Sequence, residues 1–294
     1  MNSSPSARIA PPAPFFQAEA DQNTPAAGEL YQTLLDLIRP LNRVIVAFSG
    51  GVDSALVLKA AYDALGRENA LAVTAVSPSL ARRELKGAEK TAQEIGAPHR
   101  IIETREMENP SYSRNEPDRC YHCKTELYSV LSRLRKEENY PFVLNGANSD
   151  DRGDHRPGMK AALENGVRSP LLEANLGKKE IRAIARELGL SVHEKPASPC
   201  LSSRIPYYRN VTLKKLRQIE EAENFLRDRG FREFRVRHHD EIARIELSFS
   251  EFAGMGAAET RAAVNEEFRR LGFEYAVLDL AEFQSGRLNR VLGD

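Results

Sequence analysis

Apolar residues along this chain recur with two periods, and the switches between them mark out the elements. Leu30, Leu34, Leu35 and Ile38 follow helical spacing and predict a helix over Gly28–Ile38. Arg43–Phe48 is a short apolar run rich in β-branched residues, which predicts a strand, and Asp53–Leu65 is built of helix formers. The alternation continues with strand Ala70–Val76, a charged amphipathic helix Leu80–Ile95, strand His99–Glu103, helix Tyr121–Glu138 and strand Pro141–Gly146. Strands and helices alternating at these lengths predict βαβ units and a parallel sheet covered on both faces. In such sheets ligands lie beyond the carboxyl ends of the strands.

A helix over Gly177–Leu188 places Ile181, Ile184, Ala185 and Leu188 on one face. The stretch Lys195–Tyr207 holds Pro196, Pro199 and Pro206, which excludes regular helix or a central strand and predicts a loop or linker. Beyond it the pattern restarts with helix Leu213–Arg229, strands Phe231–Arg237 and Glu241–Leu247, helix Ala257–Leu271 and strand Glu274–Asp279. The expected fold class is therefore α/β, with a parallel-sheet domain over 28–199 and a smaller α+β domain over 200–294. Residues 1–27, with Pro5, Pro11, Pro12, Pro14 and Pro25 among Ser, Ala and Gln, read as a disordered tail without the apolar core of a secretory signal. No internal repeat is visible.

Composition narrows the function. Lys+Arg and Asp+Glu are both 42 in 294 residues. A formal charge of zero weakly disfavours a large nucleic-acid substrate, since such binders carry a basic excess. No apolar run reaches the ~18 residues of a membrane span, so no membrane association is expected. Three cysteines, an odd number, do not suggest an oxidised disulfide framework, and the expected compartment is the cytoplasm.

The chemistry concentrates in Ala47-Phe48-Ser49-Gly50-Gly51-Val52-Asp53-Ser54, at a strand-to-helix turn. Gly50 and Gly51 remove the Cβ atoms that would keep an oxyanion from the main chain, and Ser49 and Ser54 add hydroxyl donors. Backbone N–H groups and the positive end of the helix dipole then point at one place. That suits a pyrophosphate, with Asp53 holding the Mg²⁺ it carries. No Walker string G-x-x-x-x-G-K-[ST] is present. Ser-Gly-Gly-Val-Asp-Ser instead resembles the PP-loop of the ATP pyrophosphatases, which split ATP into AMP and pyrophosphate to activate an oxygen of the substrate. An ordinary Gly-Gly turn is the alternative reading.

Asn145-Gly146-Ala147-Asn148-Ser149-Asp150-Asp151 closes the fourth strand at the same edge. Its short polar side chains suit turn chemistry. A similar run follows a core strand in PP-loop sulfur transferases, which makes Asp150 and Asp151 candidates for a place near ATP and Mg²⁺.

Cys120-Tyr121-His122-Cys123 is a C-x-x-C, and the third cysteine, Cys200, lies in the Pro-rich stretch. Two thiolates at this spacing chelate a metal or cluster, and a third from a distant loop would complete a three-point clamp with one position open. Zinc on Cys120, His122, Cys123 and Cys200, or three unrelated thiols, are the alternatives. Arg235-Val236-Arg237 on a predicted strand sets both guanidinium groups on one face, which suits a phosphate, with Ser203 and Arg204 as a second clamp. A solvated strand face is the alternative there.

The order PP-loop, C-x-x-C, then Pro199-Cys200-Leu201-Ser202-Ser203-Arg204-Ile205-Pro206-Tyr207 resembles the LarE family, ATP-dependent sulfur transferases that help make the nickel-pincer nucleotide cofactor. The resemblance runs from about Arg43 to the C-terminus. It implies adenylation of a carboxylate on a pyridinium dicarboxylate mononucleotide, then sulfur attack to leave a thiocarboxylate. Some members sacrifice the sulfur of a lone cysteine at the position of Cys200, and others carry three cysteines and are thought to hold a [4Fe-4S] cluster with an open iron for sulfide. This chain has the three-cysteine pattern. The resemblance implies Ala47, Ser49, Gly50, Gly51, Asp53, Ser54 and Val76 as ATP-binding residues, Arg235 and Arg237 on the substrate phosphate, and Glu223 and Glu246 at acidic positions nearby. Cys200 and Asp53 are the expected catalytic residues. A homo-oligomer, a sulfur source and other cofactor-biosynthesis proteins are the expected partners beside the small-molecule nucleotide.

Three rivals remain at this stage. An amide-forming synthetase of the NAD or GMP synthetase kind needs no three cysteines. A tRNA thiolase shares the cysteine pattern but would carry a basic surface. A nucleotide sensor would bind ATP without releasing pyrophosphate.

Overall fold

The computed structural model describes residues 26–152, 157–284 and 286–292. Most of the expected tail, residues 1–25, lies outside the described residues, and Ala27 already begins the first helix.

The first body follows the alternating pattern. Helix α1 (Ala27–Ile38) leads into strand β1 (Val44–Ala47), helix α2 (Val52–Leu65), strand β2 (Ala70–Val76), helix α3 (Arg82–Ile95) and strand β3 (His99–Glu103). The short helix α4 (Pro110–Ser113) and the long α5 (Arg119–Glu137) precede β4 (Phe142–Leu144), and α6 (Pro157–Glu164), α7 (Pro170–Glu173) and α8 (Lys178–Glu187) follow. All four strands are parallel in the order β3-β2-β1-β4, with Val44 level with both Ala70 and Phe142. Alternate residues of β1 enter opposite cores: Val44 and Val46 pack with α1, α2, α3 and α8, while Ile45 packs with Val143, Tyr128 and Leu131 on the α5 side. The carboxyl ends of β1, β2 and β4 therefore open on one edge.

The second body has helix α9 (Leu213–Asp228), strands β5 (Phe234–His239) and β6 (Ile242–Leu247), helices α10 (Phe252–Gly256) and α11 (Ala258–Arg270), and strand β7 (Tyr275–Leu278). Its sheet runs β5-β6-β7, antiparallel then parallel, over a core of Leu226, Phe234, Val236, Ile245, Phe268 and Phe273. Strand β5 starts later than the apolar pattern suggests. The N–H groups of Arg232 and Glu233 donate to Glu251 Oε1, at 2.9 and 3.3 Å, instead of to a neighbouring strand.

The Pro-rich stretch has no regular element beyond a 3₁₀ turn at Leu201–Arg204, as its prolines require, but it is not a free linker. Leu201, Ile205, Val211, Leu216 and Ile219 form a small core around Tyr112 of α4. Backbone bonds from Tyr208 to Asn115 and from Val211 to Ser113, at 3.0 and 2.8 Å, fasten it to the first body.

Candidate active site

The phosphate loop is held by contacts among its own six residues and by its neighbours on β2, α3 and the turn after β4. Phe48 N–H donates to Val73 O at 2.8 Å, so the chain leaves the sheet in register with β2 before it turns. Gly50 has φ of +69°, and a Cβ there would stand 2.6 Å from Ala88 Cα on α3, so both conformation and space require glycine. Gly51 precedes the first turn of α2. Ser54 Oγ accepts from Ser49 N–H at 3.2 Å, meets Ser49 Oγ at 3.1 Å and donates to Gly51 O at 3.1 Å, closing the loop into a ring. Gly146 fits against this ring so closely that a Cβ would lie 2.8 Å from Ser54 N.

Asp53 stands on the first turn of α2, where its carboxylate accepts from Asn148 Nδ2 at 3.4 Å and pairs with Lys178 Nζ at the start of α8. Asp150 and Asp151, expected near Mg²⁺, are each engaged by a backbone N–H. Asp150 Oδ2 accepts from Lys178 N–H at 2.9 Å, and Asp151 Oδ2 accepts from Asn148 N–H at 3.0 Å in a capping box. The side chains that reach Asp53 are Asn148 and Lys178, from stretches no short motif connects. Val76 lines a cleft of about 320 Å³ with Ser77, Pro78, Glu103 and Thr104, beyond the ends of β2 and β3. Ala47 ends β1 on the same edge.

The three cysteines come from two places. Cys120 and Cys123 occupy the first turns of α5, exposed and half-buried, and Cys200 is half-buried at the start of the Leu201–Arg204 turn; all three are free thiols. Buried Arg119 ties the two places together by donating to Ser202 O at 3.0 Å and to Asn115 Oδ1. Tyr112 Oη meets Ser202 Oγ at 2.7 Å, and Leu201 N–H donates to Ser79 O at 2.8 Å, just past β2. Burial opposes the charge on Arg119, yet the negative ends of Cys200, Cys120 and Tyr112 outweigh it and raise its pKa. Burial pushes the Cys123 thiol up to about 12; Lys124 opposes this, while Glu106, Cys200 and Cys120 add to it. The three sulfurs thus act on one another and on shared neighbours. Among the described residues no three His, Cys, Asp or Glu side chains are gathered closely enough to hold a single metal ion. His122 Nε2, a candidate fourth zinc ligand, faces Asp118 Oδ2 at 3.1 Å.

Three arginines cradle the Cys200 loop. Arg204 is buried, pairs with Glu223 through two bonds of 2.9 and 3.0 Å and donates to Pro199 O at 2.6 Å and Cys200 O at 3.2 Å. Its guanidinium is a brace for the loop rather than an open clamp, and Ser203 Oγ receives a further bond from it at 3.0 Å. Arg237 pairs with the fully buried Glu246 at 2.7 Å and donates to Ser203 O at 3.0 Å. Glu246 also takes Arg244 at 3.0 Å. Arg235 leaves β5 on the same side as Arg237, as period-two alternation requires, and donates to Ala197 O at 2.8 Å while its guanidinium lies over Phe283. Burial lowers the pKa of Arg235 to about 10, helped by repulsion from Arg204 and Arg237. Arg235 is thus a cation held by two carbonyls and a ring and repelled by two other guanidinium groups.

The loop also reaches the ATP end. Lys195 Nζ donates to Gly50 O at 3.1 Å and pairs with Glu84 of α3 at 2.9 Å. Lysines 178 and 195, Asn148, Arg119 and Tyr112 escape a reading of sequence, because each is defined by a partner far along the chain.

A family model described as NAD synthase matches residues 36–145, the part that holds the phosphate loop. An uncharacterized protein of Synechocystis sp. is 46% identical over 89% of this chain and 97% of its own length. The pyridinium-3,5-bisthiocarboxylic acid mononucleotide synthase of Lactiplantibacillus plantarum is 42% identical over 88% of this chain and 94% of its own. A tRNA-specific 2-thiouridylase of Caulobacter sp. is 28% identical over 53% of this chain and 47% of its own.

Proposed function

Because this chain belongs to the LarE family, whose relative above is a pyridinium-3,5-bisthiocarboxylic acid mononucleotide synthase, we propose that the phosphate loop activates a carboxylate and that the Cys200 loop delivers the sulfur. The protein is an ATP-dependent sulfur transferase of the PP-loop class. The observation that carries the division of labour is the loop itself: Lys195 fastens it to Gly50 O of the phosphate loop, and Arg119 and Tyr112 fasten its Ser202 beside the C-x-x-C.

In this reading a carboxylate oxygen of the pyridinium dicarboxylate mononucleotide attacks the α-phosphorus of ATP, and pyrophosphate leaves with the electron pair of the broken P–O bond. The N–H groups at the start of α2 and the Ser49 and Ser54 hydroxyls stabilise the charge on the departing group. Sulfur then attacks the acyl carbon and AMP leaves, giving the thiocarboxylate. Asp53, a hard oxygen donor with partial exposure, fits Mg²⁺. Cys120, Cys123 and Cys200 are free thiols on two segments joined through Arg119, and they are the set assigned here to a [4Fe-4S] cluster. Bound there, the cluster would supply a sulfide nucleophile. Such a thiol set needs a reducing compartment, which supports the cytoplasm. No described helix is long and apolar enough to cross a membrane. A homo-oligomer and an external sulfur source complete the proposal.

Pyrophosphate release tests the activation half. With ATP and the mononucleotide present, Asp53→Ala loses at least about 10²-fold in turnover while the protein stays folded, because the side chain acts on ligand charge and its partners in the structure are the polar Asn148 and Lys178. Turnover equal to wild type removes Asp53 from the chemistry.

The substrate half is tested at the arginines. Arg235→Ala weakens mononucleotide binding by about 1.5–3 kcal/mol, as for a lost charge-assisted contact, with ATP affinity unchanged. Arg237→Ala does the same but also lowers stability, since it strands Glu246. Calorimetric titration of each ligand reads both, and a loss confined to ATP would reverse the assignment of the two sites.

A further inference from the structure

The nucleotide proposed as substrate carries two opposite charges, an anionic phosphate and a ring nitrogen that is formally positive. Arg235 answers the first. The second calls for an aromatic face, which attracts a cation and stacks on a planar one. Such a face lies against Arg235 itself, whose guanidinium stands over the ring of Phe283, 4.7 Å from its centroid.

The C-terminal segment fixes Phe283 on both sides. Its N–H donates to Leu247 O at the end of β6 at 2.8 Å, and the preceding Glu282 Oε1 accepts from Phe249 N–H at 3.0 Å. Beyond it, Arg287 pairs with Asp279 at 3.1 Å. The side chain between these anchors is half-buried.

The hold of Arg235 on that ring is one that a phosphate can break. Its guanidinium donates to two neutral carbonyls, Phe234 O at 2.6 Å and Ala197 O at 2.8 Å, and among the described residues it pairs with no carboxylate. Glu223, whose charge reaches it, is engaged by Arg204. A phosphate offers charge where the carbonyls offer only dipoles, so it draws the guanidinium off the ring. The face then loses the cation it held.

We propose that Phe283 is the base platform of the nucleotide site and selects for a positively charged ring: the pyridinium takes the face of Phe283 as the phosphate takes the guanidinium of Arg235. One cation is exchanged for another on the same ring, whereas a neutral base would leave the face without a charge. Because Arg235 also reaches Ala197 of the Cys200 loop, a ring seated there lies on the side of the site that carries the sulfur. The proposal rests on the nucleotide substrate given above and adds the residue that recognises its base.

The test is calorimetric titration of the full-length protein with nicotinate mononucleotide, which has a pyridinium ring, with its dihydropyridine form, whose ring is uncharged, and with ribose 5-phosphate, which has no ring. Phe283→Leu keeps an apolar side chain and removes the aromatic face. It binds nicotinate mononucleotide about tenfold more weakly than wild type, the dihydropyridine form about threefold more weakly, and ribose 5-phosphate within about twofold. Phe283→Tyr stays within about threefold of wild type on all of them. Equal losses on every probe would show that Phe283 only props Arg235, and an unchanged affinity for nicotinate mononucleotide would place the ring elsewhere; either overturns the proposal. So does wild-type protein that binds nicotinate mononucleotide no more tightly than ribose 5-phosphate. The underlying function is judged separately: wild-type protein that discriminates among the probes yet releases no pyrophosphate from ATP and the dicarboxylate mononucleotide refutes that function, and the titration still decides Phe283.

Discussion

Cys200→Ala protein forms no thiocarboxylate, a loss of at least about 10³-fold, while it still releases pyrophosphate. The two halves of the reaction separate because Cys200 reaches the phosphate loop only through its own loop, at Lys195. The half-buried thiol is not part of the small core around Tyr112, so the melting temperature stays close to wild type. If the three thiols hold a [4Fe-4S] cluster, Cys120→Ala and Cys123→Ala fail in the same way, and each loses the visible absorption of the anaerobic protein along with its iron. If Cys200 is sacrificed instead, its variant alone is inactive, and wild-type protein after one turnover lacks the elements of H₂S in the peptide containing residue 200. We propose the first outcome. A sacrificial thiol gives no reason for Arg119 to be buried between the C-x-x-C and Ser202, where its charge answers Cys200 and Cys120 together. Iron and sulfide analysis beside mass spectrometry separates the two, and an iron-free protein that turns over many times with Cys200 intact defeats both.

Glu223→Ala destabilises the protein by about 3–5 kcal/mol, because it leaves the buried Arg204 guanidinium without its carboxylate. For a protein of this size that is a fall of about 10 °C in melting temperature. The Cys200 loop should loosen with it, since Arg204 also holds Pro199 O and Cys200 O. The double variant Arg204→Met, Glu223→Leu recovers much of the loss, as apolar pairs of similar volume can replace a buried ion pair. Burial disfavours the Glu223 carboxylate, yet the adjoining Arg204 more than offsets this and holds the carboxyl below its usual range. With the folded-state pKa depressed, the stabilisation is present above the unfolded pKa of about 4.3 and is lost as pH falls through the folded value. The gap in denaturation midpoint between wild type and Glu223→Gln should therefore close in acid. A gap that persists below the folded pKa would show that packing, not charge, holds the loop.

The sequence by itself determined the elements and the reagents. Period-two runs such as Val44–Ala47 and helical runs such as α2 and α8 depend on residues close together along the chain, so they are legible without tertiary information. The phosphate loop is largely local: the Ser49–Ser54 hydroxyl ring closes within six residues and Gly50 answers to its own φ, while its contact with Ala88 of α3 comes from the fold. The same holds for the proline stretch, which excluded helix and strand without saying what it touches. Short helices such as α4 and α6 gave too few turns for a period to show.

Tertiary structure decided which charges are already answered. Arg204 and Arg235 look alike in sequence, but α9 brings Glu223 to one of them and leaves the other against carbonyls and a phenylalanine ring. Asp150 and Asp151 carry the same carboxylates as Asp53, and only the fold shows that Asp150 takes the Lys178 N–H at the start of α8 and Asp151 the Asn148 N–H of its own turn, while Asp53 faces the Lys178 ammonium. The physical reason is common to these cases. A residue's conformational preference is set by its neighbours in the chain, whereas the free energy of a buried charge is set by whatever group the fold places within a few ångströms of it.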